Sequence, residues 1–263
     1  MKIKNLTVFS LAVAILCIAA RTVTMLYATE SGTGFFINRL TPLGLGLSAG
    51  IFVLVLAAVI FAFYAKEKTV SPFSPSALSG IASLLLGISL IFYSLGFNIH
   101  GYLILWQHAL ETVTGILAGL WFIAFGLSAF AKIKLPAVAA ALPCIHYIMR
   151  LIVVFTSIST SALVAEHIFS LAYHVSAMVY MLNFGRIAAG EPSKNIAKVF
   201  FPISAMTFIF TCTSVFSRLI MLILGKTEMI HGEAALDITG IVLSIFVLLI
   251  AADTVKEDTE KSV

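Results

Sequence analysis

The chain reads as an all-α, polytopic transmembrane helical bundle of about eight spans, and three observations lead there. Of its 263 residues 60% are hydrophobic and 11% charged, and the mean hydropathy is +1.09. Soluble domains carry about 25% charged residues, so this inventory cannot furnish a water-facing surface. Apolar runs of about 20 residues, the length that crosses the hydrocarbon core as a helix, recur from end to end. Alternation with period two is missing, which argues against a membrane barrel. Helices are then the remaining way to satisfy the backbone in lipid.

The first span lies near residues 6–28, after Lys2 and Lys4. Those lysines and the apolar run to Ala20 also suit a secretory signal, with Ile18-Ala19-Ala20 as a passable cleavage site. Leu16 before Cys17 makes a poor lipoprotein cleavage motif. Arg21 favours retention, because it matches two later arginines. The second span, 43–65, holds Gly46-x-x-x-Gly50. The third, 77–97, follows the breaker Ser71-Pro72-Phe73-Ser74-Pro75. The fourth, 109–131, has Glu111 near its start and Gly115-x-x-x-Gly119 within it. Both glycine pairs mark expected close helix contacts. The fifth, 135–157, carries Cys144, His146 and Arg150, and the sixth, 163–184, carries Glu166, His167, Ser170, Tyr173 and His174. The stretch from Gly185 to Pro192 ends it. The seventh, 199–224, holds Cys212 and Arg218 and stops at Gly225; the eighth, 234–252, opens near Asp237. All three cysteines fall inside spans, where small apolar packing is their expected role.

Basic residues sort by side. Lys2, Lys4, Lys66, Lys68, Lys132, Lys134, Arg186, Lys194, Lys198, Lys256 and Lys261 fall on one side, and only Arg39 and Lys226 on the other. By the positive-inside rule the first side is cytoplasmic, and so are both termini. The net charge of +4 follows this topology and gives no sign of nucleic-acid binding.

Arg21, Arg150 and Arg218 lie within spans, each shortly before its predicted outer loop. Cys144 to Arg150-Leu-Ile and Cys212 to Arg218-Leu-Ile share spacing and a final triplet, and the two arginines are 68 residues apart. Arg21 precedes Arg150 by 129 residues, close to two such periods. The missing member falls near Leu90. Four parallel hairpin repeats, 6–65, 77–131, 135–184 and 199–252, within a single transmembrane domain 1–263 account for this spacing.

A charge inside a span costs roughly 2.5–3.5 kcal/mol on insertion scales. The arginines therefore need partners, and Glu111, Glu166 and Asp237 stand at the outer ends of the even spans. Two readings compete. In one, interhelical ion pairs fix the packing register. In the other, arginine forks line an outer cavity for an anionic solute, with carboxylates tuning them. His146, His167 and His174 are candidate ligand contacts on the same side. His167 and His174 are about 10.5 Å apart along the axis, too far to chelate one metal ion together, so no metal or cofactor is expected. Tyr93, Tyr102 and Trp106 suit an outer aromatic belt. Hydrolase, metalloprotease and phosphate-loop motifs are missing from these residues.

The expected partners are the bilayer, a small anionic solute and a membrane or cytoplasmic partner protein. The leading expectation is a carrier or binding protein in the cell membrane, engaged from its outer face. A sensor or assembly subunit acting through a partner comes second. An intramembrane lipid enzyme using Glu166, His167 and His174 for acid–base chemistry comes third. The topology has a direct check. Introduced cysteines at 98–108 and 225–233 should react with an impermeant reagent in intact cells, and those at 66–75 and 185–198 should not. The reverse pattern would refute the orientation.

Overall fold

A computed structural model describes residues 3–31, 34–64, 75–96, 105–131, 135–157, 164–190, 196–230 and 237–260. Their helices are α1 (Ile3–Val23), α2 (Thr41–Phe63), α3 (Ala77–Gly96), α4 (Leu105–Ser128), α5 (Leu142–Ser157), α6 (Val164–Ala188), α7 (Ile196–Ile223) and α8 (Ile238–Glu260). A π-helical turn, Thr24–Ala28, extends α1, and a 3-10 turn, Ala137–Ala141, leads into α5. Among the described residues, β-pairing is limited to one bridge between Thr29 and Phe36. The chain is a multi-pass helical membrane protein: seven helices are long and apolar enough to cross a bilayer. The apolar stretch of α8, Ile238–Thr254, is shorter. It rises about 25 Å, near the lower limit for a span.

Neighbouring helices form a ring. Helix α3 packs on α4, α4 on α5, α5 on α6, α6 on α7, α7 on α8, and α8 back on α3. The α1–α2 hairpin lies outside this ring, against α7. Helix α7 is the hub: 78% of its apolar stretch is buried, against 22% for α2. The interior between the helices is aromatic. Trp121 stacks on Phe125, and Phe184 meets Phe125 and Phe246 edge to face.

The closure of the ring is polar. Asp253, near the end of α8, accepts the Ser76 amide at 2.9 Å and the Ser79 hydroxyl, at the start of α3. A carboxylate is favoured there by the exposed amides of a helix N-terminus. At the other end of α8, Asp237 Oδ1 accepts the Gly240 amide at 2.8 Å and caps the helix. Acids therefore bracket the shortest span.

The α3–α4 interface is the closest in the bundle, and small residues make it so. A Cβ on Gly87 would lie 2.5 Å from the Gly119 carbonyl oxygen, and one on Gly126 would lie 2.6 Å from that of Gly80. One heptad further along the seam, the Thr112 hydroxyl donates to the Ser94 carbonyl at 3.4 Å. Gly80, Gly87 and Ser94 thus face Gly126, Gly119 and Thr112 in one antiparallel register. The expectation for Gly115 and Gly119 holds, but Gly46 and Gly50 differ. Among the described residues nothing comes within 4 Å of a Cβ built on either.

This contrast predicts two outcomes for detergent-purified protein. Gly87→Val should lower stability by about 1–3 kcal/mol through overpacking. Gly46→Val should stay within about 0.5 kcal/mol of the parent. Thermal unfolding midpoints measure both, and equal losses would sink the seam.

Candidate functional site

Lysine-rich loops mark one end of the bundle. The candidate site lies towards the other end, where α3 and α5 finish and α4, α6 and α8 begin. Its frame is an antiparallel step between α4 and α5. Residues four apart share a helix face. Glu111 and Gly115 are such a pair on α4, and Arg150 and His146 are such a pair on α5. Glu111 meets Arg150: Arg150 Nη1 donates to Glu111 Oε1 at 2.6 Å. Gly115 meets His146: a Cβ on Gly115 would stand 3.1 Å from His146 Cε1 and would also strike Ser94. The glycine is what lets the imidazole approach.

Burial of this pair is almost complete. The Glu111 side chain is 1% exposed and the Arg150 side chain 12%. The Arg150 guanidinium also lies over the Tyr93 ring, 4.9 Å from its centroid. Such cation–π contact gains strength where water is excluded. Glu111 Oε2 has no hydrogen-bond partner among the described residues, and neither has His146 Nδ1. His146 is itself 2% exposed. Buried polar atoms ordinarily find partners, so two such atoms beside one ion pair call for explanation.

Beside the pair is a polar cavity. Its walls include His146, Tyr147 and Arg150 from α5, Tyr173 and His174 from α6, Tyr93 and Leu90 from α3, and Asp237 and Thr239 at the start of α8. Its volume of about 20 Å³ is room for the centre of a water molecule to move. A single water needs at least about 10–15 Å³ on that measure. His174 Nδ1 lies 2.7 Å from the Ser170 carbonyl oxygen. A carbonyl only accepts, so Nδ1 carries the proton, and in the neutral ring Nε2 is then the acceptor.

The candidate residues divide. Arg150, His146, His174 and Asp237 share the cavity, and Glu111 holds Arg150 from α4. Arg21 and Arg218 are also buried, at 3% and 2% exposure, but neither is among the described residues lining it. The Arg21 guanidinium lies 4.6 Å from the centroid of the Phe169 ring. Next to Arg218, the Ser217 hydroxyl donates to the Ile18 carbonyl at 3.4 Å, one turn before Arg21, so the two arginine segments run side by side on α7 and α1. His167 is half-buried and does not line the cavity. Glu166 lies in the first turn of α6, and its side chain is outside the described residues, as are Tyr102, His100, His108 and His231.

Sequence reasoning missed Tyr147 and Thr239 and placed Tyr93 in the interfacial belt. A tyrosine one position after His146 carries little signal of its own. Tyr93 is a full heptad beyond Leu86, itself buried, and that periodicity marks an inward face. Leu90, the uncharged member of the arginine spacing, lines the same cavity as Arg150.

Comparison with protein-family models, with curated proteins and with solved structures gives no match to this chain.

Removing one partner of a buried ion pair costs about 3–5 kcal/mol, whereas replacing both with apolar residues can be neutral. Glu111→Ala should therefore destabilise by that order. Arg150→Met combined with Glu111→Met should recover most of the loss. A double-mutant cycle on unfolding midpoints in detergent reads the coupling. Strict additivity would show that the pair is not energetically coupled.

Proposed function

We propose that this protein is a carrier or binding protein for a small solute bearing an acid group. In this reading it sits in the cell membrane with its lysine-rich loops in the cytoplasm, following the positive-inside rule. The solute is admitted from the opposite face. The observation that carries the reading is the Arg150 guanidinium on the wall of a small cavity, among two histidines and three tyrosines.

Energetics support it. A buried ion pair is seldom the most stable way to fill its space, and an ionisable residue inside a membrane span is a functional candidate by default. Arginine presents planar, paired donors that match a carboxylate or a phosphate. Tyr147, Tyr173 and Thr239 add hydroxyls that donate to such a group or accept from a solute hydroxyl.

A second reading, a sensor or assembly subunit acting through a partner protein, draws on α2. Among the described residues nothing lies within 4 Å of a Cβ built on Gly46 or Gly50, and small-xxx-small pairs suit contact with another transmembrane helix. The lipid-enzyme expectation gains less, because His167 does not join His174 at the cavity.

The test is a panel of acetate, lactate and inorganic phosphate against the purified protein, read by unfolding temperature and calorimetry between about pH 5 and 8. At least one anion should stabilise the parent. Arg150→Lys, which keeps the charge but loses the fork, should weaken that binding about tenfold or more. If no anion in the panel binds at any of these pH values, the reading fails.

A further inference from the structure

The charges around the cavity do not favour simple anion capture. One guanidinium, Arg150, faces two carboxylates, Glu111 and Asp237, and Glu111 already holds it at 2.6 Å. A solute carboxylate or phosphate arriving here would meet a neutralised arginine. We propose that solute and proton bind together, with Glu111 as the proton site whose neutralisation releases the Arg150 charge to the solute. This rests on the reading of the cavity as a solute site.

The step balances simply. A proton from water adds to the carboxylate of Glu111, which becomes a neutral carboxylic acid. No bond of the solute breaks and no electrons are exchanged. Arg150 keeps its proton throughout, since a guanidinium does not titrate in proteins. The interaction of Arg150 with Glu111 then falls from an ion pair to an ordinary hydrogen bond, roughly half as strong. The solute anion takes the place of the lost charge, and one proton accompanies each anion.

The geometry singles out Glu111. Its Oε2 is buried and has no hydrogen-bond partner among the described residues, so one oxygen holds Arg150 while the other can take a proton. Asp237 is committed differently, since its Oδ1 caps α8 through the Gly240 amide. The other titratable or charged groups gathered at this place are Tyr93 on α3, His146, Tyr147 and Arg150 on α5, Tyr173 and His174 on α6, and Asp237 at the start of α8. His108, one turn before Glu111 on α4, has a side chain outside the described residues. Among these, His146 lies on the cavity wall with Arg150. It precedes Arg150 by one turn, seats against Gly115, and has a buried Nδ1 without a partner among the described residues.

About 20 Å³ admits a water but not a carboxylate or a phosphate. In this coupling the proton binds Glu111, which holds Arg150 from α4, before the solute enters. Weakening the α4–α5 ion pair is then what lets the cavity widen for the solute.

The experiment measures proton uptake when acetate, lactate or phosphate is added to the weakly buffered, detergent-purified protein, beside calorimetric affinity against pH. The parent should take up one proton per anion bound, and affinity should fall about tenfold per pH unit on the alkaline side. Glu111→Gln, a fixed mimic of the protonated acid, should bind the anion without proton uptake and with a flat pH profile. Arg150→Ala with Glu111→Gln, which leaves no stranded carboxylate, should remain folded and lose anion binding. Binding by the parent without proton uptake, or a Glu111→Gln profile as steep as the parent's, overturns the coupling and leaves the solute site standing. Failure of every anion to bind overturns the solute site and the coupling with it.

Discussion

The hydrocarbon core offers no water to a polar group, and every donor and acceptor placed there must be met from within the chain. This constraint shapes α7, the most enclosed helix. Several of its hydroxyls are engaged, although Thr211 Oγ1 is buried without a partner among the described residues. Ser204 donates to the Phe200 carbonyl and Thr213 to the Ile209 carbonyl, both at 2.7 Å and both one turn back along the helix. Thr207 reaches across to the Ser176 carbonyl of α6 at 2.9 Å. Ser83 of α3 does the same to the Phe122 carbonyl of α4 at 2.7 Å. Hydroxyl groups so engaged become compact, nearly apolar surface, and a helix rich in Ser and Thr can then occupy the centre of the bundle.

Charged groups cannot be absorbed this way, and their placement follows a stricter logic. Asp253 and Asp237 sit at the two ends of α8, where amides of helix N-termini meet them. Glu111 and Arg150 lie deeper and have each other. Their meeting depends on apolar details elsewhere. The glycines of α3 and α4 fix those helices at close range and in one register, which sets the depth of Glu111. Gly115, on the same face, then admits the His146 ring, which brings α5 close enough for Arg150 to reach its acid. The site is therefore a product of small residues as much as of charged ones.

Much of this architecture was legible in the sequence, for physical reasons. A span must be apolar for about 20 residues, so each helix announces itself locally, and Arg21, Arg150 and Arg218 stand out because charge is costly there. Pairing is another matter. Glu111 and Arg150 are 39 residues apart in sequence, and their contact depends on how α4 meets α5, which no local pattern records. The same limit explains Gly46 and Gly50. A small-residue pair says that a helix can be approached closely, not that this chain supplies the neighbour. The α3–α4 seam was readable in principle, as heptad spacing of Gly80, Gly87 and Ser94 against Thr112, Gly119 and Gly126. It escapes a search confined to spacings of four. Tyr93 was misplaced because a tyrosine near a span end fits an interfacial belt equally well.

The mismatch between charge and space at the cavity has a mechanical consequence. A permanent anion site would carry surplus cations, and a purely structural ion pair would have no need of a polar cavity beside it. The observed arrangement is intermediate: a neutralised arginine, one carboxylate oxygen without a partner among the described residues, and room for a water. In the proposed coupling, such a site works by changing state. The two sides of the ion pair are held differently. Glu111 belongs to the α3–α4 pair, locked by carbonyl-to-glycine contacts at two positions one heptad apart. Arg150 belongs to α5, which is entered through a 3-10 turn and a proline, Pro143. Small shifts of packed helices past one another are a usual means of opening a site. With α3–α4 as the fixed platform, the displacement that lengthens the Arg150–Glu111 contact falls to α5 and its partner α6. In the proposed coupling, that displacement would draw His146, Tyr147, Tyr173 and His174 away from Leu90 and Tyr93 and enlarge the cavity at the Arg150 wall.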